Sequence, residues 1–400
     1  MTSPRKAAPR GRRGPRRGGW RLAGAALAVA AGVVIAIVVV AVVVTRPAPP
    51  RTPSVRPALP PPGGQSFGVN VNRLFNDFAY TATEVGAQLQ AVRATGATIA
   101  RSDALWEATE PQAPVAGRHR YDWGFDDTIA GSLAAHGLTW LPILDYTARW
   151  AQSVPGQDHS PPRSPADYAA YASAFAGRYG AGGSFWRQHP QLTPLPVRTI
   201  EIWNEPDNPE FWTPGPSPAA YASLYLGARN AIDAVDPSVR VIVGGLTSAP
   251  VFLPAMVRAQ PRLRDHIDGV AIHPYGTPRV VLARVRDARA TLVSLGMASV
   301  PLYVTEFGWT TEPPGALDYA PAARRDRYIT STLGALGHLG CGVAASLLYT
   351  WVTPERRISN SQSWYGIAEP DGGSTAATAA FAAGLRAATQ PTGAPLACPR

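Results

Sequence analysis

The sequence predicts a (β/α)8 barrel, also called a TIM barrel, over residues 66–400, and three observations support this prediction. Eight short apolar runs rich in β-branched residues alternate with longer segments of helical periodicity, which is typical of parallel strands joined by crossover helices. The segment exceeds the roughly 250 residues that one such barrel commonly takes, and it contains no internal repeat. A doubly wound open sheet rarely gives eight such units in sequence. It would usually show a glycine-rich turn after its first strand, where this chain reads Asn70-Val-Asn-Arg73.

The apolar runs and the helical segments give approximate bounds for the elements. We expect strands at residues 67–71, 98–105, 139–144, 199–203, 240–244, 269–273, 302–305 and 344–350. Helical periodicity is clear at residues 83–95, 165–179, 218–235, 280–295, 321–339 and 375–388. Two helices should begin with serine at the N-cap and proline at the first helical position, at Ser164 and Ser217.

The formal net charge of +10 is concentrated at the N-terminus. Eleven of the 37 lysines and arginines precede residue 65, where no acidic residue occurs, so 26 basic side chains stand against 27 acidic ones in the rest of the chain. A nearly neutral folded domain does not favour nucleic-acid binding, and we expect no nucleic-acid partner.

Residues 22–44 contain no charged or strongly polar side chain and predict a transmembrane anchor. A helix of this length reaches roughly 35 Å, enough to cross a hydrocarbon core of about 30 Å. The basic tail at residues 1–21 then places the N-terminus in the cytoplasm and the large domain outside, on a single-pass plasma-membrane protein. The alternative is secretion after signal-peptide cleavage, although such an apolar region normally spans about 7–15 residues.

Residues 45–65 read as a linker between the anchor and the barrel domain. Eight prolines occur between residues 46 and 64, together with arginine, serine and glycine. This composition predicts a stiff, extended spacer that cannot form a core.

Two cysteines, Cys341 and Cys398, occur in the whole chain. In a domain outside the cytoplasm such a pair favours a disulfide over a metal site. The bond would tie the C-terminal tail to the bottom of the barrel, just before the last strand. Two free buried thiols are the alternative.

Two predicted strands each end in a glutamate set among aromatic residues. They are Glu201-Ile-Trp-Asn-Glu-Pro-Asp207 and Leu302-Tyr-Val-Thr-Glu-Phe-Gly-Trp309. Reacting groups of such barrels lie at the carboxyl ends of the strands, and a pair of carboxylates is what hydrolysis of a glycosidic bond requires. A helix N-cap neighbour or a structural ion pair would explain either glutamate alone, but the two together favour catalysis.

These motifs resemble those of clan A glycoside hydrolases. Trp203-Asn204-Glu205-Pro206 is similar to the clan's acid/base motif on strand four, and Thr305-Glu306-Phe307-Gly308-Trp309 is similar to its nucleophile motif on strand seven. The longer run 201–212, together with Ala271-Ile-His-Pro-Tyr-Gly276, most resembles glycoside hydrolase family 39 and its cellulase-like relatives. The resemblance covers about residues 66–388.

The resemblance implies a retaining enzyme with Glu205 as acid/base and Glu306 as nucleophile. Arg101 and Tyr275 would stabilise the charge of Glu306, and Asn204 would hold the sugar 2-hydroxyl. A structural pair with Asp103 is the alternative for Arg101, and core packing is the alternative for His273. The further candidates for substrate binding or support of the site are Asn70, Tyr146, His273, Trp309 and Trp351, the last as a stacking floor for sugar.

We therefore predict a retaining O-glycosyl hydrolase that acts on a β-linked extracellular or cell-envelope polysaccharide or oligosaccharide. The seven histidines show no metal-ligand spacing and no nucleophile elbow or C-x-x-C motif occurs, so we expect neither metal nor cofactor. The alternatives are a catalytically silent barrel that binds glycans at the cell surface, and a transglycosylase that uses the same residues.

Overall fold

The computed structural model describes residues 64–76, 79–390 and 396–398. The predicted basic tail, the transmembrane segment 22–44 and nearly all of the linker lie outside these residues. Within the described part of the chain, no helix combines the length and the apolar character that a bilayer crossing requires.

Eight parallel strands close into a barrel in the order β1 to β8, which confirms the predicted (β/α)8 architecture. The strands are β1 Ser66–Asn70, β2 Ile99–Leu105, β3 Thr139–Asp145, β4 Thr199–Ile202, β5 Arg240–Leu246, β6 Gly269–Ile272, β7 Leu302–Val304 and β8 Val343–Leu348. Each observed strand overlaps its predicted run, and the bounds differ by one or two residues at an end.

Eleven α-helices occur in the described residues. They are α1 Asn72–Phe75, α2 Ala82–Ala94, α3 Trp106–Thr109, α4 Gly124–Ala135, α5 Pro165–Tyr179, α6 Ser184–Gln188, α7 Pro218–Val235, α8 Ala249–Ala259, α9 Pro278–Ser294, α10 Ala322–Gly337 and α11 Ala376–Thr389. Two full-length helices, α4 and α8, were not predicted. Each contains poor helix formers, two glycines in α4 and Pro254 inside α8, which obscure the pattern.

Helices α5 and α7 begin and end at the predicted residues, and both carry proline in the first turn. The serine caps differ. Ser217 accepts a hydrogen bond from the backbone N–H of Ala220, as expected, whereas the Ser164 side chain makes no capping bond. Both serines occupy the predicted N-cap position and proline follows in the first turn, so this prediction is confirmed at both helix starts.

The barrel interior changes from apolar to polar along the strands. Its amino-terminal part is filled by side chains from five strands, Leu141, Ile242, Ala271, Tyr303, Ala345 and Leu347. Beyond this layer the interior carries buried polar groups, with Asn70 and Arg101 among them. Because the apolar layer closes the barrel below, these polar groups face the mouth at the carboxyl ends of the strands.

Buried tyrosines on α5 and α7 hold the carboxyl ends of the strands that lead to this mouth. The hydroxyl of Tyr171 donates to the carbonyl of Ala104 at 2.8 Å, and that of Tyr221 donates to the carbonyl of Ile202 at 2.7 Å. The same Tyr221 hydroxyl accepts from the N–H of Gly244 at 2.7 Å. These bonds pair backbone carbonyl and N–H groups at the strand ends, which would otherwise be buried without a hydrogen-bond partner.

The C-terminal tail is attached at the opposite end of the barrel. Cys341, between α10 and β8, forms a disulfide with Cys398, with Cα atoms 5.2 Å apart. Leu396 pairs with Leu339 in a short parallel bridge. The bond joins the tail to the bottom of the barrel, as predicted from the sequence, and neither thiol is free.

Candidate active site

Arg101 is the centre of the polar layer in the barrel mouth. Its Nε and Nη2 donate to the carboxylate of Glu201 at 2.8 and 3.1 Å. Its Nη1 donates to Asn70 at 2.8 Å and to Glu306 at 2.6 Å, and Nη2 also donates to Asn204 at 3.0 Å. A guanidinium has five N–H groups, so all of its donors have acceptors. Arg101 does not form the alternative pair with Asp103.

Glu201 is the functional neighbour that sequence reasoning missed. It lies inside β4, fully buried, and besides Arg101 it accepts from the N–H of Gly245 at 2.8 Å. A carboxylate within an apolar strand was the available signal, because a buried charge requires a buried partner. Its role is to hold Arg101, which in turn holds Glu306.

Glu306 lies at the mouth with 8% of its surface exposed. Its Oε1 accepts from Arg101, and its Oε2 accepts from the hydroxyl of Tyr275 at 2.7 Å. Burial raises the pKa of Glu306, but the charges of His273 and Arg101 and the Tyr275 hydrogen bond outweigh it, so the pKa lies below its ordinary value. Both expected contacts are present, and they keep the carboxylate ionised.

Glu205 faces Glu306 from the end of β4 and is 7% exposed. Its Oε1 lies 2.6 Å from Nδ1 of His273, and its Oε2 accepts from Asn208 at 2.7 Å. Its backbone has a φ of 45°, and that of Trp203 has a φ of 66°. Such left-handed backbone is strained for residues other than glycine and occurs preferentially at functional sites.

His273 lies between the two glutamates. Its Nδ1 is 3.6 Å from Oε2 of Glu306, and its Nε2 is 3.1 Å from the hydroxyl of Thr305. Burial lowers the pKa of His273, but Glu306 and Glu205 outweigh this effect and raise it above the ordinary value. This contact with the acid/base candidate gives His273 a place in the site, not in the apolar core.

Glu205, His273 and Glu306 offer three potential ligand atoms that lie within 4.8 Å of one another. One oxygen of Glu205 and one of Glu306 therefore lie within 4.8 Å of each other, close enough for both carboxyl groups to reach one bound group. The set could also coordinate a divalent cation. Arg101 already neutralises Glu306 from 2.6 Å, however, and would repel such an ion.

Two of the predicted aromatic residues lie away from the mouth. The indole N–H of Trp351 donates to Gln88 on α2 at 2.7 Å, so the ring lies between the barrel and that helix and not as a floor for sugar. Trp309 donates to the carbonyl of Gly276 and packs on Tyr328. Both rings are buried. A position at the end of a strand does not determine the direction in which the side chain points, so the sequence alone did not reveal this.

Tyr146 and Asn70 differ in their access to the mouth. Tyr146 is partly exposed and packs edge-on against Trp203, with ring centroids 5.2 Å apart. Asn70 is fully buried; it accepts from Arg101 and donates to the carbonyl of Thr305 at 2.9 Å. Asn70 therefore supports the site from below, whereas Tyr146 lies beside Glu205 on its rim.

A glycine pair on β5 allows the close approach of these groups. A Cβ on Gly245 would lie 1.9 Å from Nε2 of His273, and a Cβ on Gly244 would lie 2.0 Å from the carbonyl oxygen of Trp203. Neither approach leaves space for a side chain. The pair therefore determines where His273 and the turn before Glu205 can lie.

Comparison with known proteins identifies the fold. No family model and no curated protein matches the sequence. The structure resembles a family 39 glycoside hydrolase from Xanthomonas axonopodis pv. citri, with a TM-score of 0.63, 21% identity, and coverage of 81% of this chain and 67% of that one. A family 39 β-xylosidase from Caulobacter crescentus gives a TM-score of 0.61 and 23% identity over 82% of this chain and 72% of that one.

A family 39 glycoside hydrolase from Bacteroides cellulosilyticus WH2 gives a TM-score of 0.58 and 18% identity. The similarity covers 82% of this chain and 64% of that one. This chain thus spans about two thirds of the length of the family 39 enzymes that it resembles. The fold similarity expected from the two glutamate motifs is confirmed.

Proposed function

We propose that this protein is a retaining glycoside hydrolase that cleaves a β-linked polysaccharide or oligosaccharide by double displacement. One observation carries the proposal. Glu205 and Glu306 both contact His273, and each of the two carboxyl groups has a different set of hydrogen-bond partners. Glu306 has two donors and a lowered pKa, as a nucleophile requires. Glu205 has His273 as a proton partner at 2.6 Å, as an acid/base requires.

In the first step Glu205 donates its proton to the glycosidic oxygen while Glu306 attacks the anomeric carbon. The bond to the leaving sugar breaks, and a glycosyl ester forms on Glu306. In the second step Glu205 takes a proton from water, whose oxygen attacks the anomeric carbon and releases Glu306. Asn204, oriented by Arg101, would hold the 2-hydroxyl in both transition states.

The test is turnover of aryl β-glycosides and of a polysaccharide panel by the full chain, with product stereochemistry followed by proton NMR. We expect retention of configuration, and loss of activity by at least about 10³-fold in Glu205→Gln and Glu306→Gln. The exposed Glu210→Gln serves as the matched control. Unchanged turnover in either active-site variant, or inversion of configuration, would contradict the proposal.

Rescue by azide separates the two roles. In Glu306→Ala azide should replace the nucleophile and give a glycosyl azide of inverted configuration, whereas in Glu205→Ala it should attack the glycosyl ester and give the retained one. A binding protein without catalysis would yield neither product. Products in which another sugar replaces water would instead indicate transglycosylation.

We further propose that the barrel is held outside the cell by the apolar segment 22–44 and the proline-rich linker, because the basic residues precede that segment. Membrane fractionation with protease added to intact cells tests this arrangement. Protection of the barrel from the protease would contradict it. Recovery of a shortened soluble form from the medium would indicate signal-peptide cleavage instead.

A further inference from the structure

A second pair of carboxyl groups lies in the barrel mouth, on the strands next to the proposed catalytic site. Asp145 is the last residue of β3, and it follows Leu141 and Ile143 at two-residue spacing. Because side chains alternate along a strand and Leu141 lies in the interior layer, Asp145 also faces inward. Asp103 lies beside Ile143 in the register of β2 and β3, on the same inner face.

Asp145 is 1% exposed, and neither of its carboxyl oxygens has a hydrogen-bond partner among the described residues. Asp103 accepts from Asn72 at 2.5 Å and from Asn76. The carboxamide oxygens of these two asparagines are also buried and without partners. Four buried acceptor atoms therefore lie without a donor, and a buried acceptor that stays unpaired is unfavourable.

Arg101, whose charge acts on both aspartates, has no donor left for these acceptors. All five N–H groups of Arg101 are committed to Asn70, Glu201, Asn204 and Glu306. Its charge is shared between two carboxylates, Glu201 and Glu306. Burial, together with the charge of Asp103, raises the pKa of Asp145 well above its ordinary value. A ligand that enters the mouth with hydrogen-bond donors would satisfy these acceptors.

We propose that Asp145, Asn72 and Asn76, grouped around Asp103, form a sugar-recognition subsite that takes hydrogen-bond donors of the substrate, hydroxyl or amino groups, and rejects a uronate carboxylate. The inference rests on the proposed function for the expectation that the mouth binds a glycan. It adds the substrate class. An anionic sugar would bring further hydrogen-bond acceptors and negative charge to a subsite in which acceptors already outnumber donors and carboxyl groups outnumber cations.

The test compares three oligosaccharides that share a β-1,4-linked gluco backbone: cellopentaose, the fully de-N-acetylated glucosamine pentamer, and the glucuronic acid pentamer. Galacto- and manno-configured sets of the same three types are run beside them. Binding is measured by calorimetry on the full-length Glu205→Gln variant, so that no substrate is cut. We expect at least one uncharged or amino-bearing pentamer to bind at least about tenfold more tightly than its uronate counterpart.

Asp145→Asn is the critical second variant, because its amide always supplies a donor and cannot ionise, at nearly constant shape. We expect this change, made in the Glu205→Gln background, to improve uronate binding relative to the uncharged pentamer by about tenfold. Asp145→Ser tests the same loss of charge with a smaller side chain. Asp233→Asn on the outer helix α7 is the matched control and should leave every ratio unchanged.

The two donor sources are separated by the amino sugar. Preference for the glucosamine pentamer that disappears in Asp145→Asn identifies an ammonium ligand, whereas equal or tighter binding of the uncharged pentamer identifies hydroxyl groups. Equal binding of uncharged and uronate sets, a ratio unchanged in Asp145→Asn, or no binding of any set overturns the subsite. If the wild type turns over substrate but the ratio of uronate to uncharged binding is unchanged in Asp145→Asn, the proposed hydrolase stands and only the subsite is refuted.

Discussion

Nη1 of Arg101 lies 2.6 Å from Oε1 of Glu306, although 205 residues separate them in sequence. The bond crosses the barrel mouth from β2 to the end of β7. The other edge of the same guanidinium is held by Glu201 of β4. One buried side chain thus links three strands, two of which end in the proposed catalytic glutamates.

Replacement of Glu201 by glutamine should be costly both for stability and for activity. It removes the charge that pairs with the buried Arg101, and such a loss costs about 3–5 kcal/mol. Arg101 would lose the anchor that orients it toward Glu306 and Asn204, so turnover should fall as well. Urea unfolding and kcat measure the two effects.

Asp233→Asn is the control for this change. Its partner Arg229 is 3.9 Å away on the helix surface, where a pair contributes less than about 1 kcal/mol. A loss in Glu201→Gln no larger than in this control would show that Glu201 does not hold the site together.

Tyr275→Phe should move the acidic limb of the pH profile to higher pH. The Tyr275 hydroxyl donates to Glu306 and lowers the pKa of that carboxyl. The nucleophile must be ionised, so activity is lost as the pH falls through its pKa. Without the donor this pKa rises, so the acidic limb of kcat/KM should shift to higher pH.

Tyr349→Phe provides the comparison. Its hydroxyl bonds to Gln362 and not to a glutamate of the site, so the limb should stay in place. An acidic limb that is equally unmoved in Tyr275→Phe would mean that another group controls it.

Gly245→Ala should disable the site through His273. The added methyl would lie 1.9 Å from Nε2 of His273, so the ring must move and its contact with Glu205 must break. We expect turnover to fall by at least about tenfold, equivalent to 1.4 kcal/mol. Gly227→Ala in α7, whose Cβ meets only Ala169 at 3.9 Å, should keep full turnover. Full turnover in Gly245→Ala as well would refute this role.

Asp126→Asn should change how stability depends on pH. Burial raises the pKa of Asp126 to about 7, against the opposing hydrogen bond from Thr109. The folded state therefore holds its proton up to about pH 7, whereas the unfolded state releases it near pH 4. The wild type should lose stability as the pH rises between these values, by an amount on the order of 4 kcal/mol.

The asparagine variant does not titrate, so its free energy of unfolding relative to the wild type should increase from pH 4 to pH 8. Urea unfolding of both proteins across this range measures the difference. A constant difference would show that Asp126 keeps an ordinary pKa in the folded state.

The double variant Cys341→Ser, Cys398→Ser should lower stability and leave turnover unchanged. The disulfide closes a loop across a sequence separation of 57, for which loss of the cross-link costs about 4 kcal/mol in the chain-entropy model. It lies at the bottom of the barrel, away from Glu205 and Glu306. Thermal unfolding and kcat test both parts. A fall in kcat at a temperature where the variant is folded would contradict the separation.

The elements of the barrel could be predicted because their signals are local. Helices α5 and α7 begin at Ser-Pro pairs and carry an apolar face throughout, so their bounds are the predicted ones. The strand ends were also visible, and with them Glu205 and Glu306. Parallel strands bring such ends to one rim, which makes their proximity a consequence of the fold.

The contacts across the mouth could not be predicted in the same way. Glu201 lies in the middle of a short strand, and its partner Arg101 is 100 residues away. Which inward side chains meet depends on strand register and barrel closure, which no local pattern encodes. Trp351 shows the complementary difficulty, because its position after β8 was correct while its indole faces α2.

The two ends of the barrel domain lie at the same face. Gln65, just before β1, and Thr389, at the end of α11, line one cavity together, and the disulfide to Cys398 is at this face too. Glu205 and Glu306 open at the other face. Both ends of the barrel's chain therefore lie opposite the mouth, and a tether joined at either end would not have to pass in front of Glu205 and Glu306.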